Sequence, residues 1–93
     1  MTLKIERIAG KRSTRIRLSG QLRCADLDQV RAEIARGDGR IVLDLQELDL
    51  VDLKAIRFLN ACRAEGMSVV HCSPYIREWM LRERAEGKNE QIA

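Results

Sequence analysis

Four acidic residues are the side chains of this sequence whose types and spacing best suit chemistry. Asp44, Glu47, Asp49 and Asp52 fall between the end of a short apolar run and the start of a helical pattern. Because hard cations prefer oxygen ligands, a Mg²⁺ site is one interpretation of this cluster. The favoured interpretation is that Asp52 caps the helix and complements its dipole while the other three are solvated. We therefore predict no metal site.

The other polar residues do not form a catalytic arrangement. His71 is the single histidine and lies inside a predicted strand, where a core or edge role is expected. The serines lack a nucleophile-elbow context. The segment Gly37-Asp38-Gly39 precedes a strand, whereas phosphate-binding loops follow a strand and open a helix. We predict no catalytic residue and no cofactor, and so a protein that is not an enzyme.

The cysteines and the apolar runs indicate a cytoplasmic protein. Cys24, Cys62 and Cys72 are odd in number and lack metal-ligand spacing, which predicts buried free thiols in a reducing compartment. No apolar run approaches the roughly 20 residues that span a bilayer. Residues 1–7 lack the apolar stretch of a signal peptide. We expect no direct insertion into a membrane.

The first elements are predicted to be two strands of an antiparallel hairpin. Apolar and polar residues alternate over 3–6 and again over 14–19, which is the period of half-buried strands. The segment 9–12 contains Gly10 and supplies the turn between them.

The rest of the chain alternates between helices and strands. The predicted segments are a helix at 26–37, a strand at 40–45, a helix at 52–65, a strand at 67–72 and a helix that opens at Ser73-Pro74. Helical spacing of apolar residues and capping residues define the helices, and the nearly continuous apolar run at 40–45 is typical of a strand buried on both faces.

This order, β-β-α-β-α-β-α, predicts a single-domain α/β protein. We expect a mixed sheet of about four strands, in which the N-terminal hairpin is antiparallel and the later strands are parallel with right-handed crossover helices. The predicted domain covers residues 1–84, and residues 85–93 form a polar C-terminal tail.

Positive charge is concentrated at the start of the chain. Residues 1–17 contain six basic residues and one acidic residue, whereas the formal net charge of the whole chain is +3. The basic residues are Lys4, Arg7, Lys11, Arg12, Arg15 and Arg17. Nucleic-acid binding by this hairpin is a minor alternative. A solvated hairpin face is the favoured interpretation.

The segment from Val42 to Ala55 resembles the signature of the STAS family, the domain of bacterial anti-sigma factor antagonists. The shared features are a hydrophobic strand that ends in Asp-Leu, a short loop, two apolar residues, an Asp and a helix. Leu18-Ser19-Gly20-Gln21-Leu22 is similar to the family's Leu-x-Gly-x-Leu. Gly66, Val69-Val70-His71-Cys72 and Ser73-Pro74 fit its closing strand and final helix. The resemblance implies a STAS-like fold and regulation by protein binding.

The start of the second helix departs from the family pattern. Phosphorylatable members carry Asp-Ser-Ser-Gly or Asp-Ser-Thr-Gly there, and a kinase adds roughly two negative charges to a hydroxyl. The matching residues here are Asp52, Leu53, Lys54 and Ala55. Asp52 is kept but both hydroxyls are absent, so we predict a non-phosphorylatable site.

A docking surface remains as the predicted function of this segment. The candidate partner-binding residues are Asp52, Leu53, Lys54, Arg57 and Phe58. Helical geometry turns Lys54 and Arg57 away from the core, while Phe58 either joins this patch or packs under a neighbouring helix.

The resemblance implies several classes of partner. The first is an anti-sigma factor or kinase-like ATPase, and another STAS subunit or a second copy in a homodimer is also consistent. An alternative is a cytoplasmic STAS subunit that docks on the ATPase of an ABC-type lipid transporter. Binding of a small ligand is a further option, although no residue pattern specifies one.

Overall fold

The computed structural model describes the backbone of residues 3–92 and the side chains of residues 3–84. The elements in chain order are β1 (Leu3–Ala9), β2 (Ser13–Leu22), a 3₁₀ turn (Cys24–Asp26), α1 (Leu27–Arg36), β3 (Arg40–Asp44), β4 (Leu48–Val51), α2 (Leu53–Ala64), β5 (Ser68–Val70) and α3 (Pro74–Ile92). No helix of this described part is both long and apolar enough to cross a membrane.

The long strand β2 organises the five-stranded sheet. β1 pairs with it antiparallel over its whole length, from Leu3 opposite Gly20 to Ala9 opposite Thr14. On the other side of β2, the parallel strands β3 and β4 pair with its first and last residues respectively. β5 is parallel to β3 and forms the far edge. The predicted fold class, a hairpin followed by parallel strands with crossover helices, is confirmed.

The fifth strand, β4, is an addition to the roughly four strands that the sequence predicts. Leu48 and Val51 are buried, while Asp49 and Leu50 between them are exposed. Such a four-residue segment has no clear period of two. It becomes a strand because β2 continues beyond the end of β3, and an irregularity at Gly20 and Gln21 adjusts the register.

The core lies between one face of the sheet and the helices. Ile16, Leu18 and Leu22 alternate along β2 and are buried, and they meet Leu43 of β3 and Ile56 of α2 in one cluster. The crossovers from β2 to β3 and from β4 to β5 run in the same direction across the sheet. Right-handed crossovers in one direction place α1 and α2 on the same face, where Arg31 of α1 contacts Phe58 of α2.

The thiols do not all follow the prediction that they are buried. Cys62 is buried and Cys72 is half-buried, but Cys24 is exposed, so the prediction is wrong for Cys24. This residue lies in the 3₁₀ turn that leaves β2, where the chain passes over the surface.

The C-terminal helix extends beyond the predicted domain limit. The backbone of α3 is helical from Pro74 to Ile92, with Ile76 and Met80 in the core. Ser73 caps α3, because its Oγ accepts a hydrogen bond from the Ile76 N–H at 3.3 Å. The division into a domain at 1–84 and a tail at 85–93 stays a prediction, because the side chains of 85–93 lie outside the described residues.

Candidate functional site

Asp52 joins the start of α2 to the end of β2. Its Oδ1 accepts a hydrogen bond from the Ala55 N–H at 2.9 Å, which confirms the predicted helix cap. Its Oδ2 accepts a second bond from the Cys24 N–H at 2.8 Å. Burial raises the pKa of Asp52, but these N–H groups and the nearby charge of Arg23 outweigh it and hold the pKa below its ordinary value of 3.8. Asp52 therefore holds the start of α2 in place, and its predicted contact with a partner stays a prediction.

An apolar side chain follows this cap. Leu53 is the first residue of α2 and is 38% exposed, and Leu50 at the end of β4 is 40% exposed. The first turn of a helix presents unpaired backbone N–H groups and favours acidic side chains. Leu53 is thus a partly exposed apolar side chain at a helix position where an acidic residue is usual.

Three of the predicted site residues line one groove. Lys54, Arg57 and Phe58 of α2 surround it together with Leu27 and Arg31 of α1, and its volume is about 360 Å³. It continues along the two helices into a second pocket of about 290 Å³. Leu53 does not line this groove, but it directly precedes Lys54 in the sequence. The structure thus brings Lys54, Arg57 and Phe58 together and places Leu53 beside them.

The alternative left open for Phe58 is decided by burial. Phe58 is only 8% exposed, so it forms the floor of the groove and is not a projecting contact. The Arg31 guanidinium carbon lies 5.1 Å from the centre of its ring, at cation–π distance. Of the two alternatives, Phe58 therefore packs against a neighbouring helix, and its role in binding a partner stays a prediction.

Arg31 and Leu27 are members of the groove that sequence analysis did not select. They lie four residues apart on α1, on one helical face. That spacing locates them on a common face, but it does not say that α1 packs beside α2. Only the tertiary structure places Arg31 over Phe58.

Asp44 corrects the prediction that the acidic residues around Asp52 are solvated, since it is buried. It is 1% exposed, and its Oδ2 lies 2.9 Å from Arg15 Nη1 and 3.8 Å from Arg17 Nε. Its Oδ1 accepts a hydrogen bond from the Gln46 N–H at 3.0 Å. Burial raises the pKa of Asp44, but the Gln46 N–H, His71 and Arg15 hold it below its ordinary value.

His71 lies beyond the strand in which it was predicted. β5 ends at Val70, and His71 has a φ of 58°, in the left-handed region, so the chain leaves the sheet there. Its side chain is exposed, and Nδ1 lies 3.0 Å from Asp44 Oδ1. The histidine helps to hold the buried carboxylate in place.

The basic hairpin is largely occupied by internal ion pairs. Arg15 and Arg17 face Asp44, while Arg7 pairs with Glu33 of α1 at 3.2 Å and Lys4 lies 3.8 Å from Glu6. Four of the six basic residues at 1–17 therefore have an acidic neighbour. This arrangement favours the interpretation of a structural hairpin over a nucleic-acid surface.

No set of three or more His, Cys, Asp or Glu side chains that could hold a metal ion occurs within the described residues. Asp44 and Asp52 already use their oxygens on arginine, histidine and backbone N–H groups. The donor chemistry at both carboxylates is thus that of structural anchors.

A solved structure has the same fold. The chain matches the structure of the anti-sigma factor antagonist SpoIIAA in its unphosphorylated form with a TM-score of 0.60 and 19% sequence identity. The match covers 88% of this chain and 80% of that one. The protein therefore has the STAS fold, as the residues at 18–22 and 42–55 predicted. Its sequence matches no protein-family model and no curated protein sequence.

Proposed function

We propose that this protein is a non-enzymatic regulatory module that binds another protein through the start of α2 and the groove beside it. The observation that carries the proposal is Leu53, an exposed apolar side chain at the first position of a capped helix. Next to it, Lys54 and Arg57 flank an apolar floor made by Phe58. An apolar centre with a charged rim is the usual composition of a protein-binding patch.

The similarity to an anti-sigma factor antagonist supports a regulatory role of this type. In a phosphorylatable relative, the switch adds negative charge at the start of the corresponding helix. Leu53 and Lys54 cannot accept a phosphate as a serine or threonine does. We infer that this protein docks constitutively and that its activity is controlled by the amount or state of its partner.

The proposed partner is an anti-sigma factor or a kinase-like ATPase in a bacterial cytoplasm, which would make the protein a regulator of transcription. Lys54 beside the groove favours a partner with an acidic contact at that point, whereas Arg31 and Arg57 already pair with Asp28 and Glu83. Another STAS subunit, a second copy of this chain, or the ATPase of a lipid transporter would each be identified directly by mass spectrometry after affinity capture.

Replacing Leu53 tests the proposal. The wild type, Leu53→Asp and Leu53→Ser are used as baits in native lysate, and the affinity of any protein lost with Leu53→Asp is then measured after purification. An unpaired carboxylate in the contact costs several kcal/mol, so Leu53→Asp should weaken binding about a hundredfold or more. Leu53→Ser should weaken it less, because a hydroxyl is less costly to desolvate.

Leu81→Asp is the matched control, since Leu81 is a 51% exposed leucine on a different helix, α3. It should leave the affinity unchanged. If Leu53→Asp binds the partner as tightly as the wild type does, the docking site lies elsewhere. If Leu53→Asp greatly lowers the melting temperature, Leu53 is a core residue and the interface interpretation is wrong.

A further inference from the structure

A separate pocket lies between the end of α2, the edge strand β5 and the first turns of α3. It is on the opposite side of α2 from Lys54 and Arg57. Its volume is about 340 Å³, and it is lined by Arg63, Val69, His71, Cys72 and Arg77. It shares no lining residue with the groove between α1 and α2. A volume of this size is within the range of small-molecule sites.

Two arginines give this pocket a positive charge that other described side chains do not neutralise. Arg63 comes from α2 and Arg77 from α3. Among the described side chains, 3–84, neither forms an ion pair, in contrast to Arg57 of α2 and Arg82 of α3. The two guanidinium groups are therefore available to an anion from outside the chain.

Cys72 lines the same pocket as the two arginines. Burial raises the pKa of the Cys72 thiol, and the positive charges of Arg63 and Arg77 partly offset that rise. The thiol stays neutral at pH 7 and, with Val69, forms an apolar side of the pocket.

His71 adds a third polar side chain to the pocket, beside the two arginines. Its Nδ1 lies 3.0 Å from the ionised Asp44, so the proton of the ring belongs on Nδ1, which donates to that carboxylate. The imidazole is held in place by this contact and its Nε2 edge is left for a ligand. His71 has a left-handed backbone and lies just outside the sheet, where it lines the pocket.

We propose that this pocket binds the phosphate group of a small molecule through Arg63 and Arg77. A phosphate monoester carries about −1.5 to −2 charges at pH 7, which matches two guanidinium groups, and arginine binds phosphate oxygens in a bidentate manner. A single phosphate fills only part of the volume, and Val69 and Cys72 offer an apolar surface for an attached group. This site is independent of the protein-docking surface.

Nuclear magnetic resonance titration of the full chain tests the proposal with two probes, inorganic phosphate and phenyl phosphate, at constant ionic strength. The backbone amide signals of residues 69–77 should shift in a saturable manner with a Kd below about 10 mM, and phenol should produce no such shift. Tighter binding of phenyl phosphate would assign the site to a phosphate ester, and tighter binding of inorganic phosphate would assign it to the free anion. Absence of saturation with both probes would overturn the proposal.

Variants of the two arginines identify the pocket as the binding site. Arg63→Gln and Arg77→Gln should each weaken binding of phenyl phosphate about tenfold or more, because each removes charged hydrogen bonds. Arg57→Gln is the control, as Arg57 lies on the same helix as Arg63 but lines the other groove. Equal binding by the wild type and the two pocket variants would refute the assignment, as would an equal loss with Arg57→Gln.

Two further variants separate a binding defect from a folding defect. Arg63 lies in the last turn of α2, where a positive charge also stabilises the helix. Arg63→Lys and Arg77→Lys keep that charge but lose the planar guanidinium group that binds phosphate in a bidentate manner. Both variants should therefore fold normally and still bind phenyl phosphate more weakly. Leu53→Asp should leave phosphate binding intact, so failure of the docking proposal and failure of this one are distinguishable.

Discussion

The two oxygens of Asp52 hold together segments that are far apart in the chain. One oxygen caps α2 at Ala55 and the other accepts from Cys24 in the turn after β2. A helix N-terminus and a sheet connection thus share one carboxylate. Asp52 therefore has a structural role in this fold.

Loss of this carboxylate should destabilise the protein. Asp52→Ala removes a helix cap and leaves the Cys24 N–H without its partner, so the free energy of unfolding should fall by about 2–3 kcal/mol in urea titrations. Asp49→Ala, which changes an exposed aspartate in the preceding strand, should change it by less than about 0.5 kcal/mol. A similar effect of both variants would show that the two hydrogen bonds contribute little.

At the scale of elements, the segment that leads into β3 packs closely against the backbone of the turn between β1 and β2. Arg40 N–H donates to the Arg12 carbonyl at 3.1 Å, and the Thr14 hydroxyl bonds both the N–H and the carbonyl of Asp38. Gly39 lies within this contact with a φ of 70°. A Cβ at Gly39 would be 2.3 Å from the Arg12 carbonyl oxygen, which is backbone and cannot rotate away.

Gly39→Ala should therefore lower the free energy of unfolding more than the same change at another glycine with positive φ. Gly66 has a φ of 97°, but a Cβ there would meet no atom within 4 Å. Gly66→Ala should lower the free energy of unfolding by about 1–2 kcal/mol from backbone strain alone. Gly39→Ala adds a backbone clash and should exceed this by about 1 kcal/mol or more. Thermal and urea unfolding of the two variants compare them directly, and equal losses would contradict the clash.

At the scale of the whole molecule, two carboxyl groups with lowered pKa values link folding to pH. A group whose pKa is lower in the folded state stabilises the protein above its unfolded pKa, here near 3.8, and this stabilisation is lost as pH falls through the folded pKa. Asp44 and Asp52 should therefore give constant stability above about pH 5 and a decline below about pH 4.

The double variant Asp44→Asn, Asp52→Asn tests this linkage. Asparagine keeps an oxygen acceptor at each site but cannot titrate, so the variant should be less stable at pH 7 and should lose less stability between pH 5 and pH 3. Urea midpoints measured over that range provide the comparison. A decline as steep as that of the wild type would mean that other groups control acid unfolding.

The charge distribution of the molecule also predicts weak binding to nucleic acid. The net charge is +3, and four of the six basic residues at 1–17 have acidic neighbours. Phosphate contacts depend steeply on salt, so the protein should elute from a heparin column below about 0.2 M salt. Retention at higher salt that is lost with Lys11→Gln and Arg12→Gln would support a nucleic-acid surface.

The sequence by itself determined the elements that rest on local patterns. Alternation marked the hairpin, apolar spacing marked α1 and α2, and Asp52 was identified as a cap because a helix end needs a nearby acceptor for its N–H groups. The agreement of several short motifs also indicated the STAS fold, which the structural match confirms.

Only the tertiary structure decided which residues from different elements meet. Asp44 is buried because Arg15 and Arg17 of β2 and His71, just after β5, converge on it. Phe58 is covered because Arg31 reaches it from α1. Strand β4 exists because β2 extends past β3 and offers unpaired backbone groups. A local pattern records how one segment presents its side chains, whereas burial, ion pairing and strand pairing depend on the neighbours that folding brings to that segment.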